Sequence, residues 1–121
     1  MSFLNSIIKD SGNEYASIVS DGVEGSDVTG FVDTGSLILN GLLSGSLYGG
    51  IADNKIIALA GESATGKTYF ALGICEEFLQ QNTDGVVLYF DSEAAVTSDM
   101  IRERGIDPSR VAVFPLSTVE E

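Results

Sequence analysis

The sequence predicts an α/β fold, a parallel sheet with flanking helices, and three observations predict it. Two apolar runs of strand length, residues 55–60 and 86–90, have the composition of strands buried on both faces of a parallel sheet. Between them, residues 67–81 place Phe70, Ile74, Phe78 and Ala71, Cys75, Leu79 every four positions, with Glu76, Glu77, Gln80 and Gln81 largely on the other side. That spacing is an amphipathic helix of about 15 residues, roughly 22 Å long. A glycine-containing turn links the first run to this helix. Strand, crossover helix and strand make one βαβ unit, whose crossover is expected to be right-handed.

The remaining elements come in chain order. Phe3, Leu4, Ile7, Ile8, Tyr15, Ile18 and Val19 fall mostly at helical spacing, interrupted by Ser11 and Gly12, so one or two short helices open the chain. Residues 20–30 hold Gly22, Gly25 and Gly30 among Asp21, Glu24 and Asp27, and read as a flexible acidic linker. Residues 1–30 are therefore an arm and linker, and residues 31–121 the body. Leu37, Ile38, Leu39, Leu42 and Leu43 form a short apolar helix that Gly45, Gly49 and Gly50 end, because left-handed conformations cost glycine little. Residues 82–85 stop the amphipathic helix, and the second strand runs into Asp91, Ser92 and Glu93. A third cycle has a helix near 98–104, closed by Gly105, and a strand over 110–115.

Composition narrows the function. A chain of 121 residues is one domain in size, and its 44% hydrophobic and 20% charged residues suit a folded core rather than disorder. Six Lys and Arg against 18 Asp and Glu give a net charge of −12, which repels phosphate backbones. The bases Lys9, Lys55, Lys67, Arg102, Arg104 and Arg110 are scattered, so these residues form no nucleic-acid patch. The absence of His removes the commonest general base near neutral pH, and the single Cys75, at a packing position, excludes an internal disulfide or thiolate cluster. No leader pattern opens the chain and no apolar run approaches the roughly 18 residues of a membrane span, so the expected compartment is the cytoplasm, without a membrane partner.

Residues 61–68 fit G-x-x-x-x-G-K-[ST], with Gly61, Gly66, Lys67 and Thr68 at the fixed positions and Glu62, Ser63, Ala64 and Thr65 between them. The glycines let the backbone fold around phosphate, and its N–H groups, with the positive end of the helix dipole, point at the anion. Lys67 adds a point charge for the β and γ phosphates, and the Thr68 hydroxyl suits Mg²⁺. Tyr69 comes directly after and completes the expected nucleotide contacts of this segment. A strand before the motif and a helix after it are the context it requires, so nucleotide binding is the leading reading. Asp91 and Glu93 are two residues apart, hence on one face of an extended strand, one suited to the metal side and the other to orienting water. Strand ends also carry acids as caps or solvated groups, and the residues alone leave that choice open.

Several of these residues together resemble the RecA-type recombinases, most of all their phage UvsX-type branch. Asp33, Thr34, Gly35, Ser36, Leu39 and residues 42–45 are similar to the family's threonine-glycine-serine leader and its glycine-rich turn. The 61–68 loop lies at the family's distance from that leader, and Tyr89, Phe90, Asp91, Ser92 and Glu93 resemble its strand ending in aspartate, small residue, glutamate. Arg102, residues 105–108, Arg110 and Val111 resemble the family's next helix and strand, so the likeness covers residues 31–115.

The resemblance implies a RecA-like P-loop NTPase core, incomplete, preceded by an N-terminal helical arm. It implies a DNA-dependent ATPase that uses ATP and Mg²⁺ in strand exchange, with Lys67 on phosphate, Thr68 on magnesium and Glu93 activating water. Where the family often stacks an aromatic residue on adenine, Met100 stands. The arm is implied to dock on a neighbouring subunit of a helical filament, although its apolar residues equally suit covering their own domain. A later metal-binding strand and two DNA-contacting loops of the family have no counterpart here, so the chain is expected to be the N-terminal portion of a longer recombinase that meets single-stranded DNA elsewhere. The competing readings are a RecA-fold helicase or motor, and a nucleotide-binding or filament-capping module without turnover.

Overall fold

The computed structural model describes residues 2–63 and 65–118. Ser2 starts the first helix, α1 (Phe3–Ser11), by accepting a hydrogen bond from the Asn5 N–H at 3.2 Å, and Gly12, at φ 66°, ends it. No residue of α1 is buried, and Phe3, Leu4 and Ile7 face solvent, so this helix does not cover the body. The linker is not the free tether that its glycines predict. Asn54 Nδ2 donates to the carbonyls of Gly25 (3.2 Å) and Asp27 (2.9 Å), Lys55 Nζ donates to that of Ser26, and Thr29 Oγ1 donates to Asp53 at 3.2 Å. The donors come from the turn at Asn54, itself at φ 49°, and tie the linker to the body at its surface.

The body begins with β1 (Phe31–Val32), which pairs antiparallel with β2 (Ile51–Ala52), Val32 opposite Ile51. Between them lies α2 (Leu37–Ser44), capped by Ser36 through the Leu39 N–H and closed by Gly45 at φ 77°. The fully buried Asn40 holds this segment together. Its Oδ1 accepts from the Thr34 N–H (3.0 Å) and the Thr34 hydroxyl (2.6 Å), and its Nδ2 donates to Asp33 Oδ1 (2.9 Å) and the Leu47 carbonyl (3.0 Å). All four hydrogen-bonding positions of the amide are filled, which is what makes a buried Asn tolerable. Gly50 lets the turn after α2 close on β1: a Cβ there would lie 2.1 Å from the Val32 carbonyl oxygen, and its φ is 133°.

The second half is built on α3 (Lys67–Gln81), whose bounds match the periodicity read from the sequence. It is followed by β3 (Val87–Asp91), α4 (Ser98–Glu103) and β4 (Val111–Pro115). β3 and β4 pair in parallel, Val87 opposite Val111 and Phe90 opposite Phe114. Gly105, at φ 80°, ends α4 as expected. Leu79 of α3, Ile101 of α4 and Ile106 form the core, with Phe78, Val87, Val96 and Val111 packed on it.

Two strand expectations are corrected. Residues 55–60 form no ladder among the described residues, and Ile56, Ile57 and Leu59 are exposed: an apolar run becomes a buried strand only where neighbouring strands pair with both its edges, and none lies beside it. The parallel pair is therefore β3–β4 with α4 as its crossover, rather than 55–60 and 86–90 across α3. The second strand is buried on one face only, since Leu88 and Phe90 point outward, the latter stacked on Phe114 at 5.0 Å between centroids.

Asn40→Ala leaves Thr34, Asp33 and the Leu47 carbonyl without their partner in a buried site, and is expected to cost about 2–4 kcal/mol. Chemical denaturation of the 121-residue chain measures this; a loss below about 0.5 kcal/mol, the size of an ordinary surface change, contradicts it.

Candidate functional site

The turn before α3 is shaped by its own side chains. Gly66, at φ 94°, directs the chain into the helix, whose first turn carries no acidic residue. The positive end of the dipole therefore faces the loop without an internal counter-charge. Lys67 Nζ folds back to donate to the carbonyls of Gly61 (2.5 Å) and Glu62 (2.9 Å), and Thr65 Oγ1 donates to the Glu62 carbonyl at 2.7 Å. Glu62 thus serves the loop through its backbone. Gly61 is tightly placed, since a Cβ there would lie 3.0 Å from Thr65 Oγ1. Ala64, the remaining candidate of the motif, lies outside the described residues.

Facing the loop is the carboxyl end of β3. Asp91 is only 8% exposed. Its Oδ1 accepts from the Glu93 N–H (3.0 Å) and its Oδ2 from the Val96 N–H (3.1 Å). These N–H groups hold its carboxyl below the usual carboxylate range. The expectation that Asp91 and Glu93 share a face as paired carboxylates is therefore corrected: Asp91 is consumed in bending the chain after β3, where Ala94 takes φ 54°. Glu93 alone is left exposed toward the loop. Tyr89 stands beside it, and burial first, then the charge of Asp91, pushes its phenol up, against a hydrogen bond with Thr68.

Loop and strand end enclose a cavity of about 500 Å³, lined by Ser63, Thr65, Gly66, Lys67, Thr68 and Tyr69 on one side and by Tyr89 to Glu93 on the other. Of the residues singled out in the sequence, the structure brings Lys67, Thr68, Tyr69 and Glu93 together here. Met100 is not among the lining residues. It lies with Leu72, Glu76, Glu103 and Arg104 on a second cavity of about 470 Å³, which Thr68 and Tyr69 also line. Thr68 and Tyr69 thus border both spaces.

Sequence reading missed the Asn40 hub, the anchoring by Asp91 and the placing of Arg104. One signal was available for the last. Gly73 sits in the interior of α3, where glycine costs about 1 kcal/mol against alanine and so marks a packing need. The need is Arg104, whose Nη2 would lie 2.9 Å from a Cβ at that position.

A lysine-bearing turn at a helix start, opposed by an acidic strand end, is the arrangement that the geometry defines. The comparisons show what the chain is similar to. The chain is 36% identical over 84 residues, 69% of its length, to a recombination and repair protein of Enterobacteria phage T4. It is 32% identical over 82 residues, 68% of its length, to the protein RecA of Malacoplasma penetrans (strain HF-2). The resemblance to RecA-family recombination proteins, read from the leader, the loop and the strand end, is thereby shown. The matched stretch spans only 21% and 23% of those two proteins' own lengths. No family model matches the chain.

Because the folded state lowers the Asp91 pKa, its carboxylate stabilises the fold fully above the ordinary Asp value of about 4 and loses that contribution as pH falls through the lower folded value. Asp91→Asn is expected to flatten part of the acid limb of a stability–pH curve, with Asp33 and Asp107, shifted in the same direction, keeping the rest. Denaturation midpoints from about pH 2 to 6 decide it, and curves that stay parallel exclude the anchoring role.

Proposed function

We propose that this chain is the nucleotide-binding part of a RecA-type, DNA-dependent ATPase of recombination and repair, built on a P-loop NTPase core. The observation that carries the reading is the single cavity shared by the 61–68 loop and Glu93, on a chain similar in sequence to RecA-family proteins. The residues fit a polyphosphate with a divalent ion. The only ammonium at the loop among the described residues, Lys67, is held by two carbonyls that phosphate oxygens can replace. The helix start presents N–H groups without an acidic neighbour in its first turn. Among the described residues there is no group of three ligating side chains for a metal. Mg²⁺ suits such a site, because it keeps phosphate and water ligands and takes few from the protein.

In this reading ATP with Mg²⁺ supplies the phosphoryl group whose bond is hydrolysed. Lys67 would turn from the Gly61 and Glu62 carbonyls to the β and γ phosphates, and backbone N–H groups of residues 65–68 would cradle them. The Thr68 hydroxyl would hold the metal, its side chain placed by a hydrogen bond with Tyr89. Glu93 orients the attacking water and takes up its proton, while Asp91 holds the backbone that positions Glu93. Residues 1–30 act as the arm through which copies of the protein join in a filament, a role that the exposed Phe3, Leu4 and Ile7 of α1 suit. Single-stranded DNA is met by regions outside these 121 residues, in the cytoplasm of the cell concerned. With Asp91 engaged by backbone and no other carboxylate beside Glu93 in the cavity, the chain by itself is read as binding nucleotide with little turnover.

Titration calorimetry of Mg·ATP into the 121-residue chain tests the central step. Lys67→Ala is expected to weaken binding by about a hundredfold, the worth of its charge-assisted contacts, and an unchanged affinity refutes the reading. Glu93→Gln keeps binding within about twofold and, in a protein of the relatives' length supplied with single-stranded DNA, slows hydrolysis by about 10²–10⁴-fold. Turnover that survives this change removes Glu93 from catalysis.

A further inference from the structure

The helix α2 turns its polar residue inward and its apolar residues outward. Asn40 is fully buried, while Ile38 is 76% and Leu42 79% exposed. At about 100° per residue, the positions two before and two after Asn40 stand nearly opposite it, so these two side chains form the outer ridge of the helix. Leu37 and Leu43 are half exposed beside them. Leu47, whose Cδ2 would lie 3.3 Å from a Cβ at Gly41, extends the apolar surface past the helix end. The inversion has a local cause. The Asn40 amide holds Thr34, Asp33 and Leu47 together from inside the segment, and that orientation sends the ridge to water.

Charge separates this ridge from the other exposed apolar groups. Residues 34–52 contain no Asp, Glu, Lys or Arg, in a chain that carries six bases and 18 acids elsewhere. Leu88 and Phe90 run into Asp91 and Glu93, Ile56, Ile57 and Leu59 lie between Asp53 and Glu62, and α1 carries Lys9 and Asp10. A second copy, itself at −12, that approached any of those surfaces would bring charged groups into the contact. At α2 neutral surface meets neutral surface. The ridge also needs no second kind of surface to match it, because a two-fold axis sets each copy's residues against the other's in exchange. We infer that the ridge of Ile38 and Leu42 is the contact through which two copies of this chain pair, with their α2 helices antiparallel and Ile38 of each beside Leu42 of the other. The force that opposes this pairing is the long-range repulsion of two acidic chains, so salt strengthens it, whereas a contact made of ion pairs weakens in salt. The pairing is separate from the arm contact proposed above and independent of the nucleotide reading.

Sedimentation velocity of the 121-residue chain over a concentration series tests the pairing. The mass is expected to rise from 12.7 kDa to twice that and to stop there, since a two-fold contact closes on itself. Raising salt from about 0.01 M to about 1 M, which shortens the screening length from about 30 Å to about 3 Å, is expected to tighten association by about tenfold. Ile38→Glu and Leu42→Glu each place a charge and its symmetry mate in the contact, and each is expected to weaken association by about a hundredfold. Both side chains face water in the single chain, so the far-ultraviolet circular dichroism of these variants stays that of the wild type. Phe90→Glu, and Phe3→Glu with Ile7→Glu, lie outside the ridge and leave association within about twofold. A chain that remains at 12.7 kDa at every concentration overturns the inference, as does a mass that grows past two copies. So does association that survives both ridge variants, or that falls equally in the Phe90 or arm variants.

Discussion

The helix α3 is fixed at each end by an arginine from later in the chain, and the site depends on that constraint. At the carboxyl end, Arg110 donates through Nε to the Gly85 carbonyl (3.0 Å), through Nη1 to that of Leu79 (3.0 Å) and through Nη2 to that of Asn82. Helix ends leave carbonyls unpaired, and a guanidinium fork satisfies several while opposing the dipole. Near the amino end, Arg104 lies against Tyr69 and Glu76. Since Arg110 directly precedes β4, the clamp also sets where β4 begins and so the register in which it meets β3. The distance between the loop at the start of α3 and Glu93 at the end of β3 is governed by these two anchorings.

How much of this was legible in the sequence depended on how local the cause was. The bounds of α3 and the end of α4 at Gly105 both arise from spacing within a few residues, and the structure has them where the pattern puts them. Residues 55–60 show the opposite case. Their composition is that of a central strand, but composition records only what a segment requires, and here no neighbouring strand meets the requirement. The roles of Asn40 and Asp91 were hidden for another reason. Each is one polar residue whose meaning lies in partners brought near by folding, from Thr34 to Leu47 for the first and from Glu93 to Val96 for the second. In sequence Asp91 and Glu93 are a matched pair; in the structure, hydrogen bonds to backbone divide them into a scaffold group and a free one.

The apolar surface has a pattern that bears on the same point. Parallel strands are ordinarily covered on both faces. The β3–β4 pair is covered on the face of Val87 and Val111, by residues of α3 and α4, and presents Leu88, Phe90 and Phe114 to solvent on the other. Ile56, Ile57 and Leu59 are exposed as well. Exposed apolar strands with open edges invite pairing, and the net charge of −12 opposes it between identical copies. The acidity of the chain thus has a physical consequence of its own, because it sets a long-range repulsion against a short-range attraction.

Charge and site are also separated within the molecule. For the proposed phosphate site, the negative field of 18 acidic residues in the surrounding chain would be a constraint. The structure meets it locally. The first turn of α3 has no acid, Glu62 contributes its carbonyl rather than its carboxylate to the loop, and Asp91 has its charge absorbed by backbone N–H groups. Glu76, the next acid along α3, is paired with Arg104. Among the described residues, and apart from the backbone-bonded Asp91, the charged groups lining the cavity are Lys67 and Glu93, from the loop side and the strand side. That opposition is what the proposed hydrolysis asks for, with one wall to hold negative charge and the other to activate water.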